Sequence, residues 1–233
     1  MPGLLGIFGV ASRGMQVTTR AVQTSGHNIA NADNPDFTRQ RQILGNARPI
    51  NEGGDYYGTG VEQLRIERVH DVLTEMQLLR QKGAFGSAEM QADALAQIEG
   101  VLNEVDGNGL SGSIDALYRA FSDLASATTP GASAERAALV GAAESLVSTL
   151  RGLDSQLRAQ LRATNGAIAA TLPQVNELSR GINELNQQIF AAESIAPAND
   201  LRDLRDAQLR ELAGLVDISV LEQPNGQVLV SLS

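Results

Sequence analysis

The sequence predicts a mainly α protein: an N-terminal coiled-coil-type helix, then an elongated helical bundle containing one very long helix. Minor β structure is expected as short strands after the N-terminal helix and as a C-terminal hairpin. Three observations predict this. Apolar residues recur at heptad spacing near the N-terminus and again over some sixty residues in the second half. Aromatics make up only 3% of the 233 residues, so the core is built from Leu, Ile, Val and Ala. The apolar period changes from 3.6 to 2 after residue 215.

The first helix carries Phe8, Met15, Val22 and Ile29 seven residues apart, with Leu4, Ala11, Thr18 and Ser25 between them. This is an a/d seam with one large and one small track. A single helix cannot bury such a seam against itself, so a partner helix is expected. The helix ends abruptly at Asn31 to Pro35, where Asn, Asp and Pro favour turns. Residues 1–35 therefore read as one segment. Residues 36–66, with scattered Gly and Pro, read as a loop or extended connector in which Leu64 and Ile66 suggest a brief strand.

Residues 67–214 read as the helical bundle. A helical region from about Arg68 to Val105 places Val69, Leu73 and Met76 on one face, and Leu95, Ile98, Leu102 and Val105 on another. Gly83 and Gly86 predict a kink or short break. Asp106 to Gly109 ends the region. A third helix spans about Ser113 to Ser126, with Ser111 or Ser113 as N-cap, and presents Ile114, Leu117, Phe121 and Leu124. After a turn at Thr128 to Gly131, Ser133 opens the longest helix, to about Glu193.

Its seam runs Leu139, Leu146, Leu153, then Leu161, Ile168, Val175, Ile182 and Ile189. The two runs join through steps of 4 and 4 at Leu157, a local relaxation of left-handed supercoiling. Pro173 predicts a bend, and the seam keeps its register beyond it, which predicts one helix over two. A last helix is expected over Leu201 to Ala213, capped by Asn199 or Asp200 and ended by Gly214. Its Arg202, Asp203, Arg205, Asp206 and Arg210 read as a solvated face with i,i+3 and i,i+4 pairs.

Residues 215–233 then alternate with period 2. A two-residue Asn-Gly loop would set Val220 against Ser231. A three-residue loop through Gly226 pairs Val220 with Val230 and Ile218 with Leu232, and is the one predicted. An isolated hairpin is marginal in water, and so is a thin unpartnered helix. Both ends therefore suggest a piece of a longer protein, or a chain completed by assembly.

Composition narrows the function classes. Residues 1–70 hold 7 basic and 6 acidic side chains and the remainder 11 and 21, so no basic patch suits nucleic acid. No run of about 18 apolar residues suggests membrane insertion, and no basic region precedes a continuous apolar stretch, so no cleaved signal is read. There is no cysteine for a disulfide or thiolate site. His27 and His70 lack ligand-spaced neighbours, and no phosphate-binding, zincin or nucleophile-elbow motif is present. Asp106 to Asn108 begins like a calcium loop, but its sixth position is Ser111 and its twelfth Leu117. No catalytic residue, cofactor, metal or small-molecule substrate is expected.

The stretch Asn28-Ile29-Ala30-Asn31-Ala32-Asp33-Asn34-Pro35-Asp36-Phe37-Thr38-Arg39-Gln40 resembles the N-terminal signature of bacterial flagellar rod, hook and hook-associated proteins. It departs at Asp36, where that family usually has Gly. Gly58 to Val61 with Arg68, Asp71 and Leu73, the Pro130 turn, Asn199 to Asp206, Leu215 to Val220 and Glu222 to Val228 resemble the hook-associated members at the hook–filament junction. The long helix sets it apart from rod and hook proteins, and an enzyme such as a peptidoglycan hydrolase would need a catalytic carboxylate in a cleft. The resemblance implies a structural role in flagellum assembly and motility, in a ring of copies contacting the hook protein and a further hook-associated protein. It also implies type III export without signal cleavage and an extracellular, flagellar location. Phe8, Met15, Val22 and Ile29 would pack a partner helix, while Asn28, Asn31, Pro35, Phe37, Arg39 and Gln40 link that helix to the outer part.

Overall fold

The computed structural model describes residues 3–102, 109–128 and 130–232. Among them the order is α1 (Leu4–Ala30), β1 (Gln40–Asn46), β2 (Ile50–Glu52), β3 (Asp55–Tyr57), β4 (Val61–Arg68), α2 (Val72–Leu102), α3 (Leu110–Ser126), α4 (Ser133–Glu193), α5 (Asn199–Leu215), β5 (Ile218–Glu222) and β6 (Val228–Leu232). The protein is mainly α with minor β. It divides into two compact units, Met1–Phe85 with Gln174–Ser233, and Gly86–Pro173.

The first unit holds the better-formed core. Leu79 of α2, Leu178 and Ile182 of α4, Leu209, Leu212 and Ala213 of α5, Ile218 of β5 and Val228 of β6 form one buried cluster. Val175, Val216, Val220 and Val230 flank it. Burying a side chain of this size contributes about 1.5–3 kcal/mol. The C-terminal hairpin is therefore not marginal, because α4 and α5 cover its apolar face. Its register is Ile218 to Leu232, Val220 to Val230 and Glu222 to Val228, as the three-residue loop requires. Gln223 donates its N–H to the Gln227 carbonyl at 2.8 Å, and Gly226 sits at φ +82°.

The connector is more ordered than a loop with a brief strand. β1 and β4 pair antiparallel from Gln40–Arg68 to Asn46–Val61, with a bulge between Ile43 and Leu44. β2 and β3 form a small separate hairpin whose Gly53 and Gly54 both have positive φ. Val69 belongs with these strands: its N–H donates to the Arg39 carbonyl at 2.8 Å. The face read as Val69, Leu73 and Met76 is therefore corrected. Leu73 is exposed, and Leu79 is the residue that α2 buries. Asp71 starts α2 by accepting the backbone N–H of Leu73 at 3.0 Å and the Thr74 hydroxyl at 2.8 Å. These bonds, that of the Thr74 hydroxyl foremost, hold its carboxyl below the usual range.

No break occurs at Gly83 or Gly86; α2 runs through both. A Cβ at Gly83 would stand 3.4 Å from the Ala213 carbonyl oxygen, an ordinary contact, so α2 and α5 pack closely here without requiring glycine. The reading of Asp106 to Asn108 as a terminator lies outside the described residues.

In the second unit, α3 begins at Leu110 with Gly109 at the N-cap and no side-chain cap. Ser113, expected as a cap, instead donates its hydroxyl to the Gly109 carbonyl at 2.9 Å and lies 3.1 Å from the Thr149 hydroxyl of α4. The 61 residues of α4 form one helix with Pro173 inside it. Its seam is used unevenly: Leu139, Leu146 and Leu153 are half-buried, Leu161 and Ile168 exposed, Ile182 and Ile189 buried. Among the described residues no helix is long and apolar enough to cross a membrane.

Candidate functional site

All four large seam residues of α1, Phe8, Met15, Val22 and Ile29, are between 63 and 76% exposed. Ala11, Thr18 and Ser25 of the small track are exposed too. α1 is nonetheless in contact along its opposite face. Two residues along a helix is about 200°, so Val10, Val17 and Thr24 form a second track behind the seam. Val17 and Thr24 are buried. Val10 lies over Gly60, where φ is +100° and a Cβ would come within 3.2 Å of Val10 Cγ1. Arg13 donates to the Thr59 carbonyl at 2.8 Å. This rear track was legible as another seven-residue spacing.

The polar turn that ends α1 is held from two sides. Asn31 closes the helix by donating both its N–H (3.1 Å) and its side-chain amide (3.0 Å) to the His27 carbonyl. Asn34 Oδ1 accepts the Asp36 N–H at 3.1 Å, a side-chain turn next to Pro35, whose missing N–H costs nothing at this exposed position. Asn28 brackets Gln40, accepting its N–H and donating to its carbonyl, both at 2.9 Å. Helix end and strand start are thereby locked together. Phe37 meets His27 edge-on, ring centres 5.1 Å apart. Arg39 keeps its side chain in solvent and gives only its carbonyl to the sheet. Asp36, where the resembled signature usually has Gly, does not have positive φ; its carboxylate accepts Arg210 Nη1 at 2.8 Å.

The other side of the turn is α5, and here the reading of its charges as a solvated face is overturned. Asp203, Arg205 and Asp206 are buried. The Thr38 N–H donates to Asp203 Oδ2 at 3.0 Å. Arg68 of β4 reaches Asp203 Oδ1 and Asp206 Oδ2, each at 2.7 Å. Gln40 donates to Asp200 Oδ1 at 2.7 Å, and Asn199 to the Ile66 carbonyl at 3.1 Å. Neither Asn199 nor Asp200 is the N-cap, which is Ala198, and the helix passes Gly214 to end at Leu215. Both side chains serve tertiary contacts instead. Asp203, Asp206, Arg68 and Arg210 were missed as site residues, since a period-3 series of Asp and Arg carries the same local signal whether buried or solvated.

The same helix fixes the C-terminal hairpin. Arg205 is 1% exposed and donates to the Gly226 carbonyl at 2.6 Å and Asn186 Oδ1 at 3.2 Å. Burial pushes its guanidinium below the ordinary arginine range. Arg202 pairs with Glu193 at 2.5 Å and Glu222 at 2.6 Å. The Arg202 bond holds the Glu193 carboxyl below its usual range.

One open cleft, about 460 Å³, is lined by Arg65, Glu67, Arg202, Glu193 and Glu222 among others. Glu67 is bonded by Arg41 and Arg65, and Arg41 above all lowers its pKa. Carboxylates held ionised by arginines are the opposite of what a general acid requires. Among the described residues no group of three or more His, Asp or Glu is placed to share a metal ion. What the geometry does show is an exposed apolar face on α1 opposite its buried Val17 and Thr24.

Comparison with known proteins identifies the family. Residues 95–233 match the family described as flagellar hook-associated protein FlgK helical domain. The chain is 30% identical to flagellar hook-associated protein 1 of Bacillus subtilis, over 93% of this chain and 44% of that protein. It is 30% identical to the Salmonella typhimurium protein of the same name, over 93% and 39%, and 27% identical to that of Escherichia coli, over 96% and 41%. The chain spans about two fifths of the length of these curated relatives.

Proposed function

The chain belongs to the FlgK family of flagellar hook-associated proteins, and we propose on that premise that it is a structural part of the junction between hook and filament. The observation that carries the reading is the α1 seam: four large apolar side chains at heptad spacing, exposed along a helix whose rear face is already packed. Such a stripe is a coiled-coil half awaiting a second helix. In this reading Phe8, Met15, Val22 and Ile29 seat the partner helix. Asn28, Asn31, Pro35, Phe37, Arg39 and Gln40 form the connection to the outer part and the contact with neighbouring subunits.

Residues 1–35 are then the axial helix, 36–66 the connector, 67–214 the outer helical body and 215–233 a β-containing region. Partners are other copies of the chain, the hook protein and the next hook-associated protein. The chain leaves the cell through the flagellar type III apparatus without cleavage and works outside it, with no catalytic step.

Val22→Asp with Ile29→Asp tests this directly in the full-length protein. Each change puts a charge into the seam without touching the buried rear track. Cells carrying the double variant are expected to bear hooks without filaments. Normal filament growth, with the variant incorporated, would refute the seam as the assembly face. A rod or hook protein is the second reading; the match of residues 95–233 to the hook-associated helical domain favours the first.

A further inference from the structure

We propose that Asp203 and Asp206 of α5 are positioning residues that, through Arg68 and Thr38, hold α1 and its exposed seam in one orientation on the first unit. α1 touches that unit along its rear track by few large side chains: Val10 over Gly60, the buried Val17 and the small, hydroxylic Thr24. A contact with so little apolar area does not by itself fix a 27-residue helix. Its C-terminal end is fixed further by hydrogen bonds: a buried series through Thr38, Asp203 and Arg68, and more exposed contacts of His27 and Gln40 with Asp200 beside it.

Asn28 is bound to the Gln40 backbone at 2.9 Å on both sides. Two residues before Gln40, the Thr38 N–H is bound to Asp203 Oδ2. The other oxygen of Asp203 accepts from Arg68 Nη1, which also donates to Asp206 Oδ2. The side chains of Arg68, Asp203 and Asp206 are between 7 and 9% exposed, so these bonds form where water competes poorly. α5 is in turn anchored by Leu209, Leu212 and Ala213 in the core.

The physical consequence is leverage. The anchor lies at the C-terminal end of α1, and the helix extends from it by about 40 Å at 1.5 Å per residue. Among the described residues the far end is held by Val10 over Gly60 and by the Arg13–Thr59 hydrogen bond, so angular freedom at the turn that these two contacts do not resist is magnified at Phe8. A seam must meet its partner in register, so the orientation of α1 matters as much as its sequence. The buried carboxylates therefore act on assembly without touching the partner.

This inference borrows from the proposed function only in supposing that the seam is used; the orientation itself is measured on the free chain. With no native cysteine, Ser25→Cys on α1 and Asn183→Cys on α4, both exposed positions, give two unique spin labels. Double electron–electron resonance is expected to show one narrow distance in the otherwise unmodified chain. With Asp203→Ala and Asp206→Ala added, that single distance is expected to be lost to a broad distribution. Slow exchange of the Val228 amide, at the core, should persist.

The double variant leaves Arg68 buried without a partner and can unfold the unit. If Val228 protection is lost, Arg68→Met with Asp203→Leu and Asp206→Leu, which replaces the ions by apolar groups of similar size, decides the matter. A narrow, unshifted distance in whichever variant retains Val228 protection would overturn the proposal. Broadening there, together with normal filament growth in the Val22→Asp and Ile29→Asp variant, would sink the seam and leave the anchor standing.

Discussion

Asn186 is the residue whose replacement tests the account of the hairpin most sharply. It lies on the buried face of α4, and its amide treats β6 as a further strand would. Nδ2 donates to the Val228 carbonyl at 2.8 Å, and Oδ1 accepts the Val228 N–H at 3.0 Å. Oδ1 also accepts Arg205 Nη1 at 3.2 Å. Val228 is itself only 9% exposed, so Asn186→Ala strands one donor and one acceptor away from water. Each such orphan costs about 1–3 kcal/mol. Water entering the vacated space recovers part of this, which leaves about 3 kcal/mol, a large share of an ordinary domain's 5–15 kcal/mol. Asn186→Leu keeps the volume and removes the hydrogen bonds, so it should cost about as much. Amide exchange at Val228 should accelerate about a hundredfold in both variants, and the urea midpoint followed by far-UV circular dichroism should fall. If Asn186→Leu stays within about 0.5 kcal/mol of the parent chain, packing and not hydrogen bonding holds the hairpin, and the reasoning fails.

Two further outcomes follow from the same region. Gly226→Ala should lower stability by about 2 kcal/mol, because the residue sits at φ +82° and a Cβ would overlap the Glu193 carboxylate and come within 2.9 Å of Arg202 Nη2. A thermal melt unchanged by that substitution would contradict the packing. The Glu193–Arg202 pair should make the hairpin acid-sensitive. The folded carboxyl is depressed, so its contribution is complete above the unfolded value of about 4.3 and is lost as pH falls through the lower folded value. Melts from pH 7 down to about pH 2.5 should lose less stability in Glu193→Gln than in the parent, over the window below about pH 4.3. Parallel curves would contradict the assignment.

The long helix was legible because its signal is local and repeated. Ser133 and Glu193 bound α4 as the seam and its flanking turns suggest, and the hairpin register followed from alternation alone. The α1 seam was legible for the same reason, together with the turn that ends it. What failed was the assignment of polar residues to caps and to a solvated face from their type and spacing alone. Ser113, Asn199 and Asp200 are good caps by type, yet each is committed to a different contact. The short strands of the connector were legible in part, in Leu64 and Ile66 of β4 but not in their pairing. β1 and β4 pair across the fourteen residues of chain at positions 47–60, and Gln40, Gln42 and Gln63 stand among the paired residues, so β1 lacks the hydrophobic alternation that Leu64 and Ile66 give β4.

The sequence by itself determined which segments are helical, how the hairpin is registered and which face of α1 is apolar, because these follow from periodicity within one element. Only the tertiary structure decided where the charges of α5 go. Arg202, Asp203, Arg205, Asp206 and Arg210 repeat as a surface helix would, and nothing local distinguishes water from Thr38, Arg68 and Gly226 as their partners. A buried charge is stable only when its partner arrives from elsewhere in the chain. Here the partners come from β4, the turn after α1 and the turn of the last hairpin, more than a hundred residues away in the case of Arg68. That convergence turns a helix with a polar, charge-rich sequence into the anchor of the apolar one.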